Sequence, residues 1–155
     1  MTMRYHVVAA ALLLAAIALP AAAQQAKVEQ AWARATAASA RAGGVFLTLR
    51  ETGTADRLVG ASSEIAARTE LHRTVEDNGI MRMLPVEGID LAAGETVTFK
   101  PGGLHIMLID LKRPLKQGET FEVTLRFAKG PPVVAKAIVG PPGGSAPPGP
   151  VHTAP

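Results

Sequence analysis

Apolar and polar residues alternate with a two-residue period over much of this chain, the pattern of half-buried strands. Val45, Leu47 and Leu49 share one face of residues 45–50. In residues 121–127, Glu122, Thr124 and Arg126 alternate with apolar partners. Residues 133–139 and 96–100 are further candidates, and residues 104–111 are apolar almost throughout. Turn formers separate the runs: Gly43-Gly44, Gly53, Asn78-Gly79, Gly88, Gly94, Pro101-Gly102-Gly103, Gln117-Gly118 and Gly130-Pro131-Pro132. Short strands at this spacing predict an all-β antiparallel sandwich or barrel. No stretch of the body carries a long helical stripe; residues 63–68 are expected to make one helical turn at most.

Asn78-Gly79 predicts a tight hairpin, because both central positions of a type I′ turn need positive φ. The segment around His72 then runs back alongside residues 80–84, which brings His72 near Met81 and Met83. On the strand after Gly103, alternation puts Leu104, Ile106 and Leu108 on the core face. His105 and Met107 project together from the other face, about 7 Å apart along the strand. Met81 and Met83 repeat that arrangement, with Arg82 pointing the opposite way.

The ends differ from this body. Arg4, an unbroken apolar run over residues 7–19, Pro20 and Ala21-Ala22-Ala23 have the order of a secretory signal peptide. The run is shorter than the roughly 20 residues of a membrane span. Residues 1–23 are therefore expected to be removed on export. No second long apolar run follows, so no stable membrane insertion is expected after cleavage. Residues 24–140 form the β domain. Residues 141–155 are so rich in Pro and Gly that they are expected to be a disordered or extended tail, with His152 as its one ligand-type residue.

Charge narrows the partners. Without Arg4, the 16 Lys and Arg fall to 15 against 13 Asp and Glu, a net charge near +2. That weak, interspersed balance gives no case for a nucleic-acid partner, which calls for a clustered basic face. The basic turn Lys112-Arg113-Pro114-Leu115-Lys116 is the one stretch that would suit an acidic partner.

The chain has no cysteine. That excludes disulfides and a blue-copper electron-transfer site, which needs a Cys thiolate. There is no nucleophile–base arrangement and no G-x-S-x-G, so an enzyme is not expected. Once the leader is removed, every remaining methionine (Met81, Met83, Met107) lies in one window with His72 and His105. Thioether and imidazole are soft and borderline donors that select Cu(I) over hard cations. Methionine used only as core filler would be scattered over all the strands; a metal-free interaction module is the alternative reading.

The spacing within this window resembles that of the periplasmic PCu(A)C copper chaperones, H-x10-M-x21-H-x-M. Ten residues separate His72 from Met83, twenty-one separate Met83 from His105, and one separates His105 from Met107. The surroundings are similar too: Ala31-Trp32-Ala33-Arg34, Glu70-Leu71-His72, Gly79-Ile80-Met81-Arg82-Met83, Pro85-Val86-Glu87-Gly88-Ile89, Pro101-Gly102-Gly103, and Leu111-Lys112-Arg113-Pro114-Leu115. The resemblance implies a cupredoxin-like β-sandwich or Greek-key barrel in the periplasm. It implies Cu(I) held by His72, Met83, His105 and Met107. It also implies a copper-accepting oxidase subunit or assembly factor as partner, with the binuclear copper centre of cytochrome c oxidase as destination. Two departures stand out. Arg73 occupies a position where many members have Met, and the tail offers only His152, which leaves at most a weak Cu(II) site there. Arg73 and Arg82, as cations near the site, are expected to favour release of the metal.

Overall fold

The two-residue loop Asn78-Gly79 adopts the predicted hairpin geometry, with φ of 52° and 78°. The structure, a computed structural model, describes residues 25–149; the expected leader and His152 lie outside the described residues. Ten strands follow in chain order: β1 (Ala26–Arg34), β2 (Ala42–Glu51), β3 (Asp56–Ser62), β4 (Ala66–Asp77), β5 (Ile80–Pro85), β6 (Ile89–Leu91), β7 (Thr96–Phe99), β8 (Leu104–Leu111), β9 (Thr120–Phe127) and β10 (Val133–Gly140). They pair in the order β5-β4-β8-β2-β1-β10-β9-β3-β6, with β7 also on β2. All pairs are antiparallel except β1 with β10.

The ladder turns over on itself at β2. Residues 42–45 of this strand pair with β8, whereas residues 47–50 pair with β7. A strand that changes neighbours halfway makes a corner between two layers. The β3 and β4 strands, far apart in ladder order but joined by the short turn at residues 63–65, are in contact. The layers enclose one core that includes Val45, Leu47, Leu49, Leu71, Ile106, Leu108, Val123 and Leu125. Leu71, Ile106 and Val45 come from β4, β8 and β2 in register, so one face of this half-sheet is the core face. The opposite face is free to carry chemistry.

Strand β1 escapes the alternation rule because of a bulge. Glu29 pairs with Thr48 but Trp32 pairs with Phe46, leaving one extra residue in β1, and Gln30 takes φ 52°. The bulge resets the phase, so that Ala31, Trp32 and Ala33 are buried consecutively. Residues 63–68 correct one expectation: the helical turn is a β-turn at residues 64–65 that enters β4 at Ala66. The basic turn after β8 is tied down as well. Leu115 is buried and donates its N–H to Thr36 Oγ1 at 2.9 Å, and Arg113 pairs with Glu119 at 2.6 Å.

The segment beyond β10 has a defined course as far as Gly149. Arg34 Nε donates to the Gly144 carbonyl at 2.6 Å, and Gly144 packs against the Trp32 ring. Proline and glycine cannot extend the ladder, but they lay backbone over an aromatic ring. Among the described residues no helix is long and apolar enough to cross a membrane.

Candidate metal centre

Register decides which donors meet. On β4 and β8, His72 stands directly opposite His105, and Glu70 opposite Met107. On β4 and β5, Thr74 stands opposite Met83 and Glu76 opposite Met81. Partners in register share a face, as do residues two apart. Glu70, His72, Thr74, Met81, Met83, His105 and Met107 therefore all lie on the outer face of the half-sheet.

A row of rings crosses this face on four adjacent strands. Trp32 of β1 and Phe46 of β2 have centroids 4.8 Å apart, Phe46 and His105 of β8 6.5 Å, and His105 and His72 of β4 5.8 Å. Trp32, Phe46 and His105 are buried on what would otherwise be a solvent face. The tail and the Arg34 guanidinium, 5.8 Å above the Phe46 ring, supply the cover.

Each imidazole has one committed and one free nitrogen. His105 Nδ1 lies 3.1 Å from the Gly103 carbonyl, which can only accept, so Nδ1 carries the hydrogen. His105 Nε2 keeps its lone pair and is buried without a hydrogen-bond partner. His72 Nε2 lies 3.0 Å from Glu70 Oε2, so Nε2 is the N–H and Nδ1 keeps the lone pair; this atom too is buried and unpartnered. Buried polar atoms without partners are rare and costly, by about 1–3 kcal/mol each. The same arrangement, in which one ring nitrogen is oriented by a carboxylate or carbonyl and the other is left bare, is how metal-ligating histidines are held. Burial holds the His105 pKa below the ordinary imidazole value; its bond to Gly103 opposes that shift, and His72 adds to it. A ring kept neutral keeps its lone pair available.

The thioethers complete the set. A 240 Å³ cavity is lined by Met83, His105 and Met107 together with Phe46, Thr74 and Arg34. Gly44 opposes Met107 in register, so β2 offers no side chain there and the cavity stays open. A flat ladder would put Met83 and Met107 at opposite corners, four residues out of step. Past Arg73, however, β4 has lost β8 and pairs only with β5. Two-stranded ribbons twist more strongly than sheets, and this ribbon brings Met83 to the cavity. His72 lies beside the cavity, against His105. The four residues singled out from spacing thus fall into one neighbourhood. Met81 stands two residues further toward the hairpin tip.

Three further residues belong to the site and escaped the sequence. Glu70 fixes the His72 tautomer; its position two residues before His72, on the same strand face, was the available signal. Phe46 and Arg34 lie on β2 and β1, whose alignment with β8 is a long-range fact. The expectation for Arg73 and Arg82 needs correction. Alternation turns both to the opposite face, Arg73 across from Leu104, and Arg82 lies 3.5 Å from Asp77. The cation that borders the cavity is Arg34.

Comparison with known proteins points the same way. A model of the family described as "Putative lipoprotein LpqE-like" matches residues 26–139. A protein of Leifsonia xyli subsp. xyli with a similar lipoprotein description is 39% identical over 124 residues, 74% of each chain. Among solved structures, the copper-bound PCuAC domain from PmoF2 superposes with a TM-score of 0.65 at 26% identity, covering 76% of this chain and 94% of that one. The solution structure of Cu(I)-DR1885 from Deinococcus radiodurans gives a TM-score of 0.53 at 34% identity, covering 81% of each.

Proposed function

This chain belongs to the LpqE-like, PCu(A)C family and has its cupredoxin-like β fold, and we propose that it is an exported Cu(I) metallochaperone. His72 Nδ1, His105 Nε2 and the sulfurs of Met83 and Met107 are the ligands in this reading. The observation that carries it is the pair of buried imidazole nitrogens with bare lone pairs, beside a cavity bordered by two thioethers. A metal-free module would leave both nitrogens unexplained.

The donor set suits transport. Two neutral imidazoles and two neutral thioethers leave the complex at the charge of Cu(I) itself. Thioethers need no deprotonation, so acid competes only at the two histidines. Four protein ligands leave no open coordination position of the kind that metal catalysis uses. Glu70 and the Gly103 carbonyl hold the rings in ligating tautomers before metal arrives. Buried rings on one side and a half-exposed Met83 on the other allow ligands to be exchanged one at a time from the Met83 side.

The lipoprotein description of its relatives, together with the leader-like residues 1–23, supports export, and we place the protein in the periplasm. None of the 155 residues is a cysteine, so a cysteine-linked lipid has no attachment point among them. For the destination we propose an oxidase copper subunit or an assembly factor of its binuclear copper centre, on the strength of the ligand spacing. The test is a Cu(I) titration in competition with a chromogenic chelator. Uptake of one equivalent, lost in Met83→Leu and Met107→Leu, is expected; no uptake by the wild-type chain would overturn the proposal. Loaded protein mixed with an oxidase copper domain should hand over its metal, and failure to do so would remove the destination.

A further inference from the structure

Strand β5 is exposed along its whole length, which is unusual for its composition. Of the six large apolar residues exposed among the described residues, four lie here: Ile80, Met81, Met83 and Leu84. Val59 and Val134 are isolated by comparison, and isolated exposed apolar residues are normal. Met81 is 58% exposed and Met83 56%. Met81 therefore does not serve the core, where methionine ordinarily belongs.

Alternation divides the four. Ile80 and Leu84 point to one side with Arg82, whereas Met81 and Met83 point to the side that holds His72, His105 and Met107. The next thioether outward from Met83, on the same face and strand, is Met81. The two Cα atoms are about 7 Å apart. Each methionine has three rotatable bonds between backbone and methyl, so both sulfurs can reach a single ion between them. The hairpin that carries them is held in shape by the Asn78-Gly79 turn and by Arg82, 3.5 Å from Asp77.

We propose that Met81 is a transfer ligand: Cu(I) leaving the buried histidines is held transiently by Met83 and Met81 at the solvent edge, where an incoming ligand takes it. This rests on the metallochaperone reading and extends it by one residue and one direction of travel. No electron moves. Each step exchanges one donor for another on Cu(I): Met81 binds as His72, His105 and Met107 are released, and the acceptor's side chains then bind as Met83 and Met81 are released. The acceptor that fits is one presenting a soft donor, thioether or thiolate, to the β5 edge. Since Met81 acts in passage, its loss should change rate and leave resting affinity alone.

Self-exchange tests this without knowing the acceptor. Cu(I)-loaded protein is mixed with apo protein labelled with ¹⁵N, and native mass spectrometry follows redistribution of the metal. The equilibrium position is fixed by symmetry, so only the rate is read. Met81→Leu, which keeps size and apolarity but removes sulfur, is expected to slow exchange by about tenfold or more while the Cu(I) Kd stays within twofold. Ile80→Ala, which alters the same strand on its other face, is expected to exchange at the wild-type rate. Wild-type exchange in Met81→Leu would overturn the proposal. So would a loss of affinity equal to that of Met83→Leu, which would make Met81 a resting ligand, or equal slowing by Ile80→Ala, which would make the strand a mere contact surface. Absence of Cu(I) uptake by the wild-type chain would sink the metallochaperone reading itself, whereas normal uptake with unchanged exchange would sink only the transfer role.

Discussion

Two sets of buried polar groups in this molecule are built on opposite plans. At the start of β3, Asp56 is fully satisfied: Oδ1 accepts from the Arg57 and Lys129 N–H groups at 2.7 and 3.0 Å, and Oδ2 from Gly130 N–H at 2.8 Å. Desolvation pushes the Asp56 pKa upward, but these three bonds and the Lys129 charge outweigh it and hold the pKa below its usual value. On the outer face of β4 and β8, His72 and His105 are each satisfied on one nitrogen only. The Asp56 corner ties the β3 entry to the turn after β9. The histidine pair gives up hydrogen-bond energy to keep two lone pairs bare. Glu51 falls between the two, with Oε1 accepting from Gly53 N–H at 2.7 Å and Oε2 buried without a partner. Complete satisfaction marks structure, and under the proposed function the incompleteness repeated in two facing groups is a place kept for a ligand.

The contrast is broken most sharply at the thioethers. Met107→Leu should cost more than about 100-fold in Cu(I) affinity, beyond the roughly 10–100-fold typical of an outer-shell partner, with little change in melting temperature. A chelator competition alongside thermal unfolding checks both. Glu70→Ala should weaken Cu(I) by about 10–100-fold. It should also release the His72 ring to its other tautomer in the apo protein, which imidazole ¹⁵N shifts report; an unchanged tautomer would remove Glu70 from the site.

Asp56→Asn should do the reverse, destabilising the fold by about 1–3 kcal/mol through its weakened N–H bonds and leaving Cu(I) affinity alone. The sign of its pH dependence follows from the lowered pKa. The Asp56 contribution is present above the unfolded value near 3.8 and is lost as pH falls through the lower folded value, so the variant should show a flatter acid limb in urea titrations.

His105 acts at milder pH. Its folded pKa lies below 6.5, so the unfolded chain binds the proton first. Apo stability should therefore decline as pH falls from about 6.5 toward the folded value, and His105→Gln should reduce that slope. The smallest effect is optical. Trp32, the one tryptophan, ends the ring row that begins at His72. Cu(I) loading should alter its fluorescence modestly, and the change should vanish in His105→Gln.

Strands with clean alternation were legible in the chain: residues 45–50, 121–127 and 133–139 are strands β2, β9 and β10 within a residue or a few. Asn78-Gly79 declared its hairpin because few other sequences tolerate two positive φ values. Strand β1 was not legible, since the bulge at Gln30 shifts the phase of burial at Ala31–Trp32. Strand β3 has its own register shift between Leu58 and Gly60, and β6 is three residues long. Short or phase-shifted strands leave no period to read. In the tail, composition shows what Pro and Gly cannot build but not what they cover, such as the ring of Trp32 beside Gly144.

The chain by itself determined an all-β domain, a hairpin at residues 78–79 and the shared face of His105 and Met107, because period, turn chemistry and alternation are local. It also limited the soft and borderline donors to methionine and histidine, since none of its 155 residues is a cysteine. Only the tertiary structure decided that His72 stands opposite His105 and which nitrogen of each ring is bare. It alone decided that the twisted ribbon brings Met83 to the cavity of Met107, and that Met81 remains outside it. Register, tautomer and twist depend on strands distant in sequence and on what each polar atom finds beside it once the layers close.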